Sequence, residues 1–152
     1  MTKFLIAIIA AVFAFSSFAI AQQRTDINNA SAAHMLLGRH RLSLQWVSWD
    51  YFGTATVANR SGLYSIKGEQ KARGKSSTDF VKIEGAITSI DAKEFAFTGK
   101  ITTQVSHING GKPCVRDGEF TFKITGQRKY WRLQEMDNPC DPVTDYVDIY
   151  LR

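Results

Sequence analysis

The residues that could form a covalent or metal-binding site include two cysteines, Cys114 and Cys140. They are far apart in the sequence, and they lack the C-x-x-C spacing that is typical of redox and zinc-binding pairs. In an exported chain, an even number of cysteines indicates a disulfide. We therefore predict a Cys114–Cys140 disulfide, whose loop closure stabilises the fold by about 3.5 kcal/mol.

Nitrogen and oxygen ligands are present, but their spacing does not predict a metal site. The three histidines, His34, His40 and His107, fall on different elements. The C-terminal region carries several carboxylate and amide side chains: Asp137, Asn138, Asp141, Asp145 and Asp148. Their spacing departs from the EF-hand calcium loop, and Asp and Asn beside prolines are typical of turns. We predict no metal ion and no cofactor, with a calcium site as the alternative.

The densest basic and aromatic stretch is residues 128–132. On a strand, Arg128, Tyr130 and Arg132 share one face, because successive side chains point to opposite sides. Such a face can stack on or pair with a sugar or an anion, so we predict partner binding by these three residues. The alternative is cross-strand pairing with acidic residues of neighbouring strands. The acidic residues that could form these pairs are Glu119, Asp145 and Asp148.

Four aromatic residues cluster near the first predicted hairpin: Trp46, Trp49, Tyr51 and Phe52. If the fold is a barrel, they could line its mouth and bind an apolar ligand. Packing in the core is the alternative. No nucleophile lies in a catalytic context such as G-x-S-x-G, so we predict a non-enzymatic protein.

The N-terminus has the pattern of a cleavable signal peptide, predicted over residues 1–21. A single Lys3 is followed by an apolar run over 4–15, and Ala19-x-Ala21 places small residues before Gln22. The apolar run is too short to span a bilayer comfortably, and no second run of spanning length follows. We expect a periplasmic or extracellular protein with no membrane span after cleavage.

The charge of the chain does not identify a partner. The formal net charge is +5, and no run of like charges concentrates the field. A single basic strand does not predict nucleic-acid binding, because oligonucleotide-binding sheets add stacking aromatics from adjacent strands. We therefore expect a small-molecule ligand or an envelope protein as the partner, and no nucleic acid.

Two segments are predicted to follow the signal peptide. Residues 22–37 form a polar segment with a short helix over Asn29–Leu37, where Asn29 is the N-cap and Gly38 follows the C-terminus. Residues 38–152 form a single β domain, because apolar and polar residues alternate almost throughout. The alternation predicts about eight strands joined by short turns. The first strand carries Leu42, Leu44 and Trp46 on one face, and the later runs are 51–58, 63–70, 79–88, 94–107, 119–125, 128–135 and 146–151.

Short connections predict an antiparallel meander, since parallel strands need long crossovers. Glycines lie inside four of the strand patterns, at Gly53, Gly68, Gly85 and Gly99. Such glycines often mark sharp bends, which barrels use to close their sheets. We predict a closed or nearly closed small β-barrel, with a β-sandwich as the alternative.

The outline of a short helix, Gly38 at the first strand and consecutive hairpins resembles the calycin architecture of lipocalins and avidins. Lipocalins have Gly-x-Trp at that strand start, whereas this sequence has Gly38-Arg39-His40 and its Trp46 comes later. The resemblance implies a barrel and no functional residues.

Residues 61–64, Ser-Gly-Leu-Tyr, are similar to the Ser-Gly-x-x-Tyr signature of periplasmic lysozyme inhibitors, but one residue short. Those inhibitors bind a basic enzyme, whereas this chain is itself basic.

The first functional hypothesis is an exported, non-enzymatic binding module whose barrel holds a small apolar or amphipathic ligand. The alternative is an envelope or extracellular protein-interaction module, an inhibitor or an accessory subunit, that uses an outer barrel face.

Overall fold

The computed structural model describes residues 23–76 and 78–152. The predicted signal peptide, residues 1–21, lies outside the described residues. No described helix is long and apolar enough to cross a bilayer.

Within the described residues, the main elements are one α-helix and nine strands. Helix α1 spans Ala30–Leu36. The strands are β1 (Asp26–Ile27), β2 (Gly38–Leu44), β3 (Gly53–Arg60), β4 (Leu63–Lys71), β5 (Phe80–Ile90), β6 (Glu94–Gln104), β7 (Cys114–Lys123), β8 (Tyr130–Leu133) and β9 (Val147–Tyr150).

Strands β2 to β9 form a closed antiparallel barrel of eight strands, in which β2 pairs with β9. The barrel prediction is therefore confirmed, and the sandwich alternative is not observed. Strand β1 is an addition that the sequence did not predict. It pairs with the end of β5 in parallel, with Asp26 opposite Ser89.

The two ends of the barrel differ in their connections. Because neighbouring strands are antiparallel, the connections after β2, β4, β6 and β8 all lie at one end. They span 45–52, 72–79, 105–113 and 134–146, and we call this the long-loop end. The opposite, short-turn end has the connections 61–62, 91–93 and 124–129.

Helix α1 packs against the barrel core at the short-turn end. Asn29 is its N-cap, as predicted, and the side-chain oxygen accepts a hydrogen bond from Ala32 N at 2.8 Å. Ala33 and Leu36 are buried in the core cluster. Gly38 then has φ +100°, a left-handed conformation that favours glycine and turns the chain into β2.

Large side chains fill the barrel interior. The rings of Phe95 and Phe122 stack at 5.2 Å, and those of Phe97 and Phe120 also stack at 5.2 Å. Trp131 packs edge-on against Phe95 at 5.9 Å. Three of these rings, those of Phe95, Phe97 and Phe122, are fully buried.

The glycines of the strands allow close approach within the wall. Gly85 lies opposite Gly99 in the β5–β6 register. A Cβ atom on Gly85 would lie 2.8 Å from the Phe97 ring and from the Gly99 backbone. These two glycines therefore accommodate a tight contact between neighbouring strands.

The last strands are shorter than the sequence predicts. The predicted run 128–135 contains only β8, and 146–151 contains only β9. Strands β7 and β8 share just the pairs Phe122–Leu133 and Lys123–Arg132. The first predicted strand ends at Leu44, so that Trp46 lies in the following loop. The second begins late, at Gly53, so that Tyr51 and Phe52 belong to the same loop.

The predicted disulfide is present. Cys114 at the start of β7 is bonded to Cys140 in the β8–β9 loop, with a Cα–Cα distance of 5.9 Å. It attaches the longest connection of the long-loop end to the barrel wall.

Candidate functional site

An ion pair on the outer wall begins the candidate site. Arg132 lies opposite Asp148 in the β8–β9 register. Its Nε and Nη2 atoms donate to the two carboxylate oxygens, each at 2.7 Å. Asp148 is fully buried although its side chain lies on the outer face of the barrel. The cross-strand pairing that the sequence left open as an alternative is therefore present.

Aromatic rings cover this ion pair. The Arg132 guanidinium lies 4.2 Å from the Tyr146 ring centre and 5.1 Å from the Tyr130 ring centre. The hydrogen bonds to Asp148 raise the pKa of Arg132, and burial opposes this shift. Asp148 holds the guanidinium in place and uses two of its hydrogen-bond donors. The main role of Arg132 is therefore to position the rings of Tyr130 and Tyr146.

The cluster continues from β9 to β2. The ring centres of Tyr130 and Tyr150 are 5.3 Å apart. Arg41 on β2 lies over Tyr150 at 5.2 Å and over Phe52 at 4.7 Å, and these two rings contact each other edge-on at 5.0 Å.

Arg128 in the preceding turn lies 5.7 Å from the Tyr130 ring centre. We call these connected side chains the arginine–aromatic face: Arg41, Phe52, Arg128, Tyr130, Arg132, Tyr146 and Tyr150.

Free positive charge and partly exposed rings are combined on this face. Arg41 and Arg128 are exposed, whereas the rings of Phe52, Tyr130 and Tyr150 are half-buried. Strands β2, β3, β8 and β9 contain a single acidic residue, the buried Asp148. The free charges on these four strands are therefore positive.

The other half of the barrel has a different outer surface. A row of opposite charges crosses β4 to β7 in register, from Lys67 to Glu84, Lys100 and Asp117. Lys100 and Asp117 form an ion pair at 3.7 Å. We call these four residues the charge ladder. Its alternating signs leave little net charge for a partner to recognise.

The four aromatic residues predicted to line a barrel mouth have different surroundings. Trp46 packs against the core, and its Nε1 donates to Asp145 Oδ1 at 3.2 Å. Trp49 is 53% exposed at the long-loop end. Tyr51 accepts a hydrogen bond from Arg73 N at 2.8 Å, and Phe52 belongs to the arginine–aromatic face. Their role as a ligand site stays a prediction.

The hydrogen bond from Trp46 to Asp145 joins it to a buried polar cluster that was not predicted from the sequence. Arg116 on β7 points into the barrel, where its Nη2 lies 3.5 Å from Asp145 Oδ2. Its Nη1 donates to Glu135 O at 2.7 Å, and Nη2 has no hydrogen-bond acceptor among the described residues. Burial lowers the pKa of Arg116 and raises the pKa of Asp145, and in both cases the ion pair opposes the shift.

The candidate metal ligands have other partners in the structure. His40 is buried, and its ring nitrogens lie 3.0 and 2.8 Å from the carbonyl oxygens of Tyr150 and Leu36. Asp141 accepts a hydrogen bond from Asn109 N at 2.6 Å. Within 23–76 and 78–152, no three His, Cys, Asp or Glu side chains are grouped so that they could hold a metal ion.

Comparisons with known proteins identify relatives of this chain. The model of the PM1083 family matches residues 24–151, which contain the whole barrel. The protein PM1083 of Pasteurella multocida (strain Pm70), described as uncharacterized, is 50% identical over 115 residues, covering 76% of this chain and 72% of that protein. No solved structure matches. This chain therefore belongs to the PM1083 family.

Proposed function

We propose that this chain is an exported, non-enzymatic protein-interaction module that binds a partner protein through the arginine–aromatic face. The observation that carries this proposal is the arrangement of Arg41, Tyr130 and Tyr150 on the outside of a filled barrel. The module would act as an inhibitor or as an accessory subunit in the periplasm or outside the cell.

The composition of the face supports this role. Tyrosine and arginine are enriched among the residues that contribute most to protein–protein binding. Here the rings of Tyr130 and Tyr150 are half-buried, so their partial burial holds them in place before a partner arrives. A side chain that is already ordered loses less conformational entropy on binding.

The packing of the barrel also favours an outer surface. An internal ligand needs space between the strands, and that space is occupied here by the rings of Phe95, Phe97 and Phe122. The disulfide supports export, because such bonds persist in oxidising compartments.

Site-specific photo-cross-linking in the native host tests the proposal. A photoreactive phenylalanine analogue is placed at Tyr130, and a matched control carries it at the exposed Thr98 on the other half of the barrel. We expect a discrete adduct with one protein at Tyr130 and none at Thr98. The adduct should disappear when Arg41→Glu is added to the Tyr130 probe.

The opposite results would reject the face. Equal adducts at both positions, or an adduct at Thr98 alone, would place the interaction elsewhere. Trp46→Ala and Trp49→Ala variants test the internal-ligand hypothesis separately, since loss of ligand-dependent quenching of tryptophan fluorescence would support a ligand site at the long-loop end.

A further inference from the structure

We propose that the partner presents a cluster of carboxylates, so that an acidic protein segment docks on the arginine–aromatic face. This inference rests on the proposed function, and it adds the chemistry of the partner. Charge complementarity between the face and the partner carries it.

The two exposed arginines of the face differ in their pairing from the lysines of the other half. Among the described residues, Arg41 and Arg128 have no carboxylate within ion-pair distance. On the other half of the barrel, by contrast, Lys100 and Lys123 are both paired with acidic residues of a neighbouring strand. No described carboxylate neutralises the charges of Arg41 and Arg128, so these charges can attract an external group.

The position of Arg41 suits a carboxylate ligand. Its guanidinium lies over the rings of Phe52 and Tyr150, at 4.7 and 5.2 Å from their centres. A guanidinium held over aromatic rings keeps N–H groups at its edges that can donate hydrogen bonds. Those edges match the two oxygens of a carboxylate, which gives a bidentate pair.

The four strands that contribute to the face carry no free anion that would repel an acidic partner. Asp148 is the acidic residue of these strands, and both of its oxygens accept hydrogen bonds from Arg132. The pair is covered by Tyr146 and is neutral as a unit. Arg132 thus neutralises the buried Asp148, while Arg41 and Arg128 supply the exposed positive charge of the face.

The patch favours a protein over a nucleic acid or a glycan polymer. Binding along a phosphate backbone needs a basic groove with several successive cations. Here two free arginines flank the tyrosines, and the rings of Tyr130 and Tyr150 are tilted by 51° to each other. Tilted rings between isolated charges fit a folded or looped acidic segment better than a line of stacked bases or sugars.

A displayed library of random peptides tests the inference, with the oxidised mature protein as bait. We expect the wild type to enrich peptides rich in Asp and Glu. The variant Arg41→Glu/Arg128→Glu should bind these peptides about tenfold more weakly and enrich peptides rich in Lys and Arg instead. The matched control, Lys82→Glu/Lys100→Glu, has the same change of net charge on the other half and should select the same peptides as the wild type.

The outcomes separate this inference from the proposed function. Neutral or basic peptides that still require Arg41 would overturn the acidic partner and leave the interaction face in place. Peptides that bind equally well to Arg41→Glu/Arg128→Glu would overturn both. Immobilised heparin that retains the wild type in preference to the acidic peptides, and releases the face variant, would replace the protein partner with a polyanion.

The test does not depend on one variant. Arg41 and Arg128 are exposed, so their substitution leaves the core unchanged, and near-UV circular dichroism verifies the fold. If the double Glu variant does not fold, Arg41→Gln gives the same comparison, with a smaller expected loss of binding. Arg132 is excluded from the test because its substitution would leave Asp148 buried without its charged partner.

Discussion

Two arginine–aspartate pairs in this barrel are buried to a similar degree but differ in geometry. On the inside, at the long-loop end, the side chains of Arg116 and Asp145 are 8% and 1% exposed. On the outside, those of Arg132 and Asp148 are 13% and 1% exposed. The inner pair has one contact at 3.5 Å, whereas the outer pair has two parallel bonds at 2.7 Å.

The pKa values follow this difference in geometry. Burial dominates for the inner pair, since the pKa of Arg116 is lowered and that of Asp145 is raised. Hydrogen bonding dominates for the outer arginine, since the pKa of Arg132 is raised. Burial alone therefore does not decide whether an ion pair stabilises a fold, and bidentate geometry determines whether the attraction exceeds the desolvation cost.

The largest expected effect follows from removing the disulfide that holds the loop of the inner pair. Cys114→Ser/Cys140→Ser should lower the free energy of unfolding by about 3.5 kcal/mol, because the closed loop no longer restricts the unfolded chain. Denaturant unfolding measures this loss. Hydrogen exchange should rise in the β8–β9 loop more than in β5 and β6, and a uniform rise would contradict the local role of the disulfide.

Breaking the outer pair should have the next largest effect. Asp148→Asn replaces the carboxylate that accepts both hydrogen bonds from Arg132, and it leaves a largely covered guanidinium without its counter-charge. The free energy of unfolding should fall by about 3 kcal/mol. Asp117→Asn on the charge ladder is the control, and it should cost less than about 0.5 kcal/mol because that pair is exposed. Equal costs for the two variants would show that burial of Asp148 contributes nothing.

Replacing both members of each pair gives the sharpest comparison. The variant Arg116→Met/Asp145→Asn should stay within about 1 kcal/mol of the wild type, because it removes a pair whose desolvation outweighs its attraction. The variant Arg132→Met/Asp148→Asn should lose about 2 kcal/mol. Denaturant unfolding of both proteins tests this order, and the reverse order would refute the contrast between the pairs.

The inner pair should also give stability a distinctive pH dependence. Burial raises the pKa of Asp145 above that of an aspartate in an unfolded chain, about 3.9. Its contribution to stability is then fully present below about pH 3.9 and is lost as the pH rises through the folded pKa. Relative to Arg116→Met/Asp145→Asn, the wild type should therefore lose stability as the pH rises above about 4. A relative gain over that range would mean that Arg116 favours the charged carboxylate.

The smallest effect is expected on the charge ladder. Lys100→Gln removes one exposed charge from a row of alternating charges, so the free energy of unfolding should change by less than about 0.5 kcal/mol. High salt should reduce even this difference, since exposed pairs are screened. A loss comparable to that of Asp148→Asn would remove the distinction between the two halves of the barrel.

Local sequence patterns predicted much of the barrel. Alternation identified its eight strands, the N-cap at Asn29 followed from residue type, and cysteine number and spacing predicted the disulfide. The same alternation indicates that Arg116 points inward, because Arg116 shares a strand face with Phe120 and Phe122. An arginine in phase with two core phenylalanines was therefore a signal for the buried polar cluster, although Arg116 was not among the predicted site residues.

The composition of the arginine–aromatic face could be predicted only in part. Residues 128–132 contain three of its members within one strand pattern. Arg41, Phe52 and Tyr150 join them because the barrel closes between β2 and β9, where Leu42 lies opposite Ile149. A single sequence does not specify which distant strands pair or in which register, so these neighbours were not predictable.

The short pairing of β7 with β8 has a consequence for self-association. On that side of β7, residues 114–120 have no strand partner among the described residues. An unpaired strand edge is a template for another chain, and Val115 is 56% exposed there. The bond to Cys140 places a loop at the start of this edge, and the carboxylates of Asp117 and Glu119 oppose the approach of a second strand. We therefore expect oxidation of the cysteines to protect the barrel against edge-to-edge aggregation as well as against unfolding.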